Sequence, residues 1–165
     1  MNIFVVDNDP VTAAKQLCDK HVVKMILESA QMLCSCFPKG EAPYKRAFYN
    51  HPCTIWARES LENHEWVHCY ANALNDEYHY RYGKLHKSVM EVVNKLPEPI
   101  NLPKKGFTTF GLAMPDELKD YDNPIQSYRD YYHLDKATFA SWSYRDKPHW
   151  WNEDFADYEQ RITAK

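Results

Sequence analysis

Cys18-Asp-Lys-His-Val-Val-Lys-Met-Ile-Leu-Glu28 is the stretch whose reading decides the fold. At about 100° per residue, a helix here sets His21 and Glu28 two turns apart and nearly eclipsed. Lys24 and Gln31 fall just beside them. The remaining positions (Leu17, Val22, Val23, Met25, Ile26, Leu27, Ala30, Met32, Leu33) are apolar around most of the circumference. A helix that apolar is central to its domain, and its one polar strip carries an acid, a base and a cation. The same strip could also be the solvent edge of an amphipathic helix. Upstream lie a short apolar, strand-like start (Ile3 to Val6) and a helix-start signal, Asp7-Asn-Asp-Pro10. There Asp9 can cap and Pro10 suits the first turn.

Working outward, the spacing predicts helix one from Pro10 to about Phe37, ending near Pro38-Lys-Gly40. A loop over Glu41 to Asn50 carries Tyr44, Lys45, Arg46 and Tyr49. Helix two opens at Asn50-His-Pro52 and runs to Tyr82-Gly83, where Gly can cap. That length calls for a kink or break. A shorter helix follows over Leu85 to Lys95. Prolines at 97, 99, 103 and 115 then predict an irregular crossing up to Asn123. Another helix starts at Asn123-Pro124 with Tyr128, Arg129, Tyr131 and Tyr132. An aromatic tail closes the chain with Phe139, Trp142, Tyr144, Trp150 and Trp151. The expectation is an all-α single helical domain over residues 1–165.

Composition agrees. The chain has 165 residues, enough for one domain with a real core. With 4 Gly among them, few turns can need positive φ, which favours helices over hairpins. The net charge of −3 and pI near 6.2 leave no global positive field, so a nucleic-acid site has to be a local patch. Five cysteines, odd in number and without Cys-x-x-Cys spacing, fit reduced thiols in a cytoplasmic chain. No segment resembles a signal peptide and no apolar run is long enough to span a membrane.

Three constellations could carry chemistry. In the first, Glu28 stabilises positive charge on a sugar during glycosidic cleavage, His21 orients it or moves a proton, and Lys24 holds a phosphate. The second is His64-Glu65-Trp-Val-His68, in which two His at i, i+4 can share a zinc with Glu65 as general base. No third ligand is fixed by the sequence, and a charged, His-rich helix face explains the same residues. The third is an interleaving of aromatic and basic residues: Tyr44–Arg46–Tyr49, Tyr78–Arg81–Lys84, Tyr128–Tyr132 and Trp142–Trp151. Rings can stack on bases there and cations can grip phosphates, although many such residues serve packing. Adjacent Trp150 and Trp151 cannot both face one core from a regular element.

These residues resemble a family: the small helical pyrimidine-dimer DNA glycosylases with abasic-site lyase activity, the phage endonuclease V group and its microbial relatives. The likeness rests on Asp19-Lys-His21 followed by Glu28, on Tyr49-Asn-His-Pro52 opening a long helix, and on Pro148-His-Trp-Trp151 near the close. A whole-length likeness to uncharacterised phage and bacterial proteins runs through Asp19–Met25, Asn50–Cys53, Trp56–Leu61, Arg81–Lys84 and Ala113–Glu117, and brings no activity with it.

The resemblance implies an N-terminal α-amine as nucleophile and a helical Glu as catalytic carboxylate, here Met1 and Glu28. The amine belongs to residue 1 or 2, and because Asn2 is not small Met1 can stay on and supply it. An α-amine leaves a useful unprotonated fraction near neutral pH. It implies orienting or proton-handling roles for His21 and His51, and phosphate or substrate contacts from Lys24, Gln31, Arg46, Arg58 and Arg81. Tyr44, Asn50 and Trp151 complete the expected substrate contacts. The function so read is base excision of damaged or modified pyrimidines from DNA or a nucleotide, without a cofactor. The alternatives are a zinc hydrolase using His64 and His68, and a non-enzymatic protein-binding adaptor.

Overall fold

The computed structural model describes residues 1–154 and 163–164. The single-domain reading of 1–165 therefore includes residues that lie outside the described ones. The protein is all-α. Its helices are α1 (Pro10–Gln16), α2 (Asp19–Cys34), α3 (Pro52–Glu59), α4 (Leu61–Tyr82) and α5 (Pro124–Tyr131). Between α4 and α5 come a π-helical turn at Ser88–Val92 and 3₁₀ turns at Val93–Lys95 and Asp116–Leu118. A second π-helical turn, Tyr132–Lys136, extends α5.

The helix starts follow their signals. Asp9 accepts from the Thr12 N–H, Ser60 from Asn63 and Asn123 from Gln126, while prolines occupy the first turns of α1, α3 and α5. Gly83 ends α4 at φ 67°, its N–H bonded to the His79 carbonyl. The expected break in helix two falls at Ser60, whose extended backbone separates α3 from α4.

Two expectations are corrected. Ile3 to Val6 are buried but form no strand, and Phe4 sits at φ 46°. Helix one is two helices, because Leu17 and Cys18 are extended. The break persists because remote groups satisfy its backbone. Arg81 of α4 donates to the carbonyls of Lys15 and Leu17, and the Asp19 N–H donates to the Ser141 carbonyl. Asp19 closes the joint, accepting from Arg81 and from the Ser143 N–H.

α2 and α4 pack together with α1 around a core that includes Ile3, Leu17, Met25, Ile26, Leu33, Trp56, Tyr70 and Tyr128. Tyr70 donates to the Ile3 carbonyl, which fixes the N-terminal segment across this core. Gly111 lies against the start of α3, where an added Cβ would stand 2.6 Å from the Pro52 carbonyl. Its neighbour Ala113 accepts from the Asn2 side chain. Among the described residues, no helix is long and apolar enough to cross a membrane.

Candidate active site

The N-terminal segment ends against the polar strip of α2. Asn2 positions it: its Oδ1 accepts from the Ile3 and Phe4 N–H groups at 2.8 and 2.9 Å, and its Nδ2 donates to the Ala113 carbonyl at 2.8 Å. The Met1 ammonium nitrogen then lies 3.6 Å from Glu28 Oε2, and the Asn2 N–H donates to the same oxygen at 2.9 Å. Lys24 Nζ, one turn before Glu28, is 3.9 Å from its Oε1. One carboxylate thus faces a main-chain amine and a lysine.

His21 forms the floor. Its ring stacks on Phe4 with centroids 4.1 Å apart, and its Nδ1 shares a 2.6 Å hydrogen bond with the Tyr132 hydroxyl. Burial, followed by the charges of Lys136, Lys24 and Lys20, pushes its pKa down to about 3. The imidazole therefore stays neutral through neutral pH and is held in one orientation. The neighbouring Cys53 thiol is pushed up to about 11 by burial and stays protonated.

These groups surround a cavity of about 270 Å³ lined by Met1, Asn2, Phe4, His21, Met25 and Glu28, with Lys20, Lys24, Tyr131, Lys136 and Phe139 at its sides. Lys20 lies over the Phe139 ring at 4.5 Å and Lys136 over Tyr131 at 4.5 Å. Three lysines and an ammonium stand against Glu28 and against Asp135, which pairs with Lys136 at 2.6 Å, and still leave a local positive patch on an acidic chain. An anion such as a phosphate suits this mouth, while a group acquiring positive charge inside meets Glu28.

A family model described as pyrimidine dimer DNA glycosylase matches residues 1–91. The chain belongs to this family. Membership gives it a DNA glycosylase type of function with DNA as its binding partner. The matched stretch contains Met1, His21, Lys24 and Glu28, whereas Tyr131, Lys136 and Phe139 come from beyond it. Comparison with curated proteins finds no match, and comparison with solved structures finds none either.

The other residues singled out from sequence distribute differently. His51 caps α3, accepting from the Cys53 N–H; its pKa is lowered by burial and then by the N-terminal amine, so it borders the site without lining the cavity. Gln31 lies one turn past Glu28, outside the cavity. Arg81 is corrected from phosphate contact to internal brace. It is 3% exposed and paired with Glu77 and Asp19. Tyr44 packs toward the core with its hydroxyl 2.9 Å from Ser88 Oγ. Arg58 donates to the Tyr49 carbonyl and Arg46 to the Phe37 carbonyl, with both guanidiniums against the Tyr49 ring. Asn50 stays exposed in the adjoining turn.

Trp151 stacks on His133 at 4.7 Å, while the Trp150 indole donates to the Gln16 side chain. Both rings pack because this segment is irregular, so alternation no longer forces one of them outward. His64 and His68 line a separate cavity of about 220 Å³ with Glu65, Cys69 and Glu98. Among the described residues, no group of three or more His, Cys, Asp or Glu side chains converges as a metal site. The zinc reading therefore lacks its ligand set.

Sequence reasoning missed Lys20, Lys136 and Phe139, whereas Tyr131 stood among the aromatic residues proposed to stack. Lys20 was legible as the neighbour of His21. Lys136 and Phe139 reach the cavity only because the end of α5 and the turn after it pack against α2, with Tyr132 bonded to His21 and Phe139 against its ring.

Proposed function

We propose that this chain excises damaged or modified pyrimidines from DNA, with the residue 1 α-amine as nucleophile and Glu28 as the carboxylate that stabilises charge. The contact that carries this reading is the 3.6 Å approach of Met1 N to Glu28 Oε2 inside the lysine-rimmed cavity. The unprotonated amine attacks C1′ of the sugar. The C1′–N bond breaks with its electron pair leaving on the base, which takes up a proton. Glu28 faces the positive charge that develops on the sugar and accepts a proton from the attacking nitrogen. The C1′–O4′ bond then opens with its electron pair on O4′, which takes up the proton that Glu28 received, and the nitrogen lone pair closes a protonated imine. Loss of a C2′ proton from this imine expels the 3′ phosphate, which is β-elimination.

In this reading Lys20, Lys24 and Lys136 hold the flanking phosphates, and neutral His21 positions the N-terminal segment through its stack on Phe4. The arrangement tolerates either processed form of the chain. Removal of Met1 would leave an Asn2 amine at the nitrogen that already sits 2.9 Å from Glu28.

Borohydride trapping on a duplex containing a cis-syn thymine dimer, beside an abasic-site duplex, tests the proposal. The expected result is a covalent adduct mapped to the N-terminal peptide. Strand cleavage with no adduct at that peptide would overturn the amine's role. Absence of both an adduct and an alkali-labile site at the dimer would overturn the excision reading.

A further inference from the structure

The histidine of the site is held from behind by a residue outside the stretch that the family model matches. Tyr132 opens the π-helical turn after α5 and is fully buried, its ring against Phe4, Trp142 and Trp150. Its hydroxyl oxygen stands 2.6 Å from His21 Nδ1. The same oxygen accepts from the Cys18 N–H at 3.3 Å and lies 3.6 Å from Cys18 Sγ. The single phenolic proton therefore has two acceptors within reach, and its choice sets the tautomer of His21.

A neutral imidazole carries one N–H and one lone pair, and the partner of one nitrogen decides which of the two it is. Sulfur is a weak acceptor, and Cys18 keeps its own proton because burial raises its pKa. The Nδ1 lone pair is both the stronger acceptor and the nearer one. With the Tyr132 O–H donating there, the ring proton of His21 sits on Nε2. Burial, then Lys136, Lys24 and Lys20, keeps the ring from gaining a second proton. His21 is 4% exposed and lines the cavity, and its Nε2 has no hydrogen-bond partner among the described residues. Nε2 is not one of the unpartnered atoms sealed inside the protein, so it opens onto the cavity.

We propose that Tyr132 is a positioning residue that fixes His21 as an Nε2–H donor, and that this donor serves the sugar oxygen that gains negative charge beside the amine. This rests on the base-excision reading above. The oxygen is O4′, which receives the electron pair of the C1′–O4′ bond when the sugar ring opens. A neutral N–H held in one orientation stabilises such a charge and keeps its proton. The labour is then divided: Glu28 moves the proton, and His21 steadies the oxygen that will take it. In this arrangement Tyr132 touches no substrate and acts only through the ring it holds.

The test uses the full chain with ¹⁵N-labelled histidines, free of DNA at neutral pH. Long-range ¹H–¹⁵N spectra show which ring nitrogen carries the proton, and the His21 signals are assigned by their loss in H21Q. Wild type is expected to show the proton on Nε2 alone. Y132F keeps the packed ring and loses the hydroxyl, so its proton is expected to spread onto Nδ1, with borohydride trapping on an abasic-site duplex about tenfold slower. H21Q presents an amide N–H but cannot take up a proton, and it is expected to trap within about tenfold of wild type. H21L, with no donor, should be about a hundredfold slower. A wild-type proton on Nδ1 would overturn the proposal, and so would an unchanged tautomer and rate in Y132F. Equal losses in H21Q and H21L would overturn the donor role. A wild-type chain that gives neither adduct nor alkali-labile site would overturn the excision reading and the donor role with it, while the spectra of the free protein still decide the tautomer.

Discussion

Two helices of this protein carry a histidine and an acid at helical spacing, and the fold treats them differently. On α2, His21 and Glu28 are met by groups from three other places: the chain's own amine, the turn after α5, and Phe139 beyond it. On α4, His64 and His68 face the Pro97–Pro99 segment, and among the described residues no third side chain joins them as a ligand set. His64 even keeps a buried Nδ1 without a hydrogen-bond partner among the described residues. One helix can align two groups by periodicity alone. A reactive constellation needs a third group delivered by tertiary structure, and only α2 receives one.

The sharpest way to break this contrast is to neutralise the acid on each helix. Glu28→Gln is expected to lower single-turnover excision by about a hundredfold or more, with circular dichroism unchanged. Glu65→Gln on α4 should leave the rate as it was. Equal effects on the two helices would erase the distinction.

A second prediction concerns the brace between the helices. Arg81 is buried between Glu77 and Asp19, and Glu77 also receives Arg145. Arg81→Ala leaves buried Asp19 without its cation and two carbonyls at the α1–α2 joint without their donor, while Glu77 keeps Arg145, so a loss of about 3–5 kcal/mol is expected in urea unfolding. A loss below about 1 kcal/mol would show that the joint holds without it.

Smaller effects follow at the mouth of the cavity. Lys20→Ala, Lys24→Ala and Lys136→Ala should each reduce the slope of log affinity against log salt by about one. Lys84→Ala, outside the cavity, should not change that slope.

The smallest effect separates the two histidine environments by pH. Burial holds His21 down to about 3 and His64 down to about 4. In the unfolded chain both bind protons from about pH 6.5 downward. The unfolded state then holds more protons, so stability is greatest above that pH and falls as pH drops toward the folded-state values. Urea midpoints at pH 7.5 and 4.5 should show the decline. His64→Leu, which also removes the unpartnered Nδ1, should soften the decline and change stability at pH 7.5 by no more than about 1 kcal/mol. Retained excision in that variant would show that His64 serves no part of the chemistry.

The helix starts were legible because they depend on neighbours. Asp9, Ser60, Asn123 and the prolines after the caps act within four residues, and so does Gly83. The polar line of α2 was legible for the same reason, since periodicity needs no partner. The break at Leu17–Cys18 was not, because the groups that satisfy it, Arg81 and Ser141, are more than sixty residues away. Arg81 was misread for a related reason: an arginine among tyrosines looks the same in sequence whether it faces a phosphate or two buried acids.

By itself, then, the sequence determined where most helices start, their caps and the alignment of His21, Lys24 and Glu28, all consequences of chain-local geometry. It also carried the family likeness that the match over residues 1–91 establishes. Tertiary structure alone decided that the amine reaches Glu28, that Lys136 and Tyr131 wall the cavity, that Arg81 turns inward and that His64 and His68 stay without a ligand set. The physical reason is that burial and long-range pairing set which polar groups lose water and meet. Those distances are fixed by packing between segments and not by spacing along the chain.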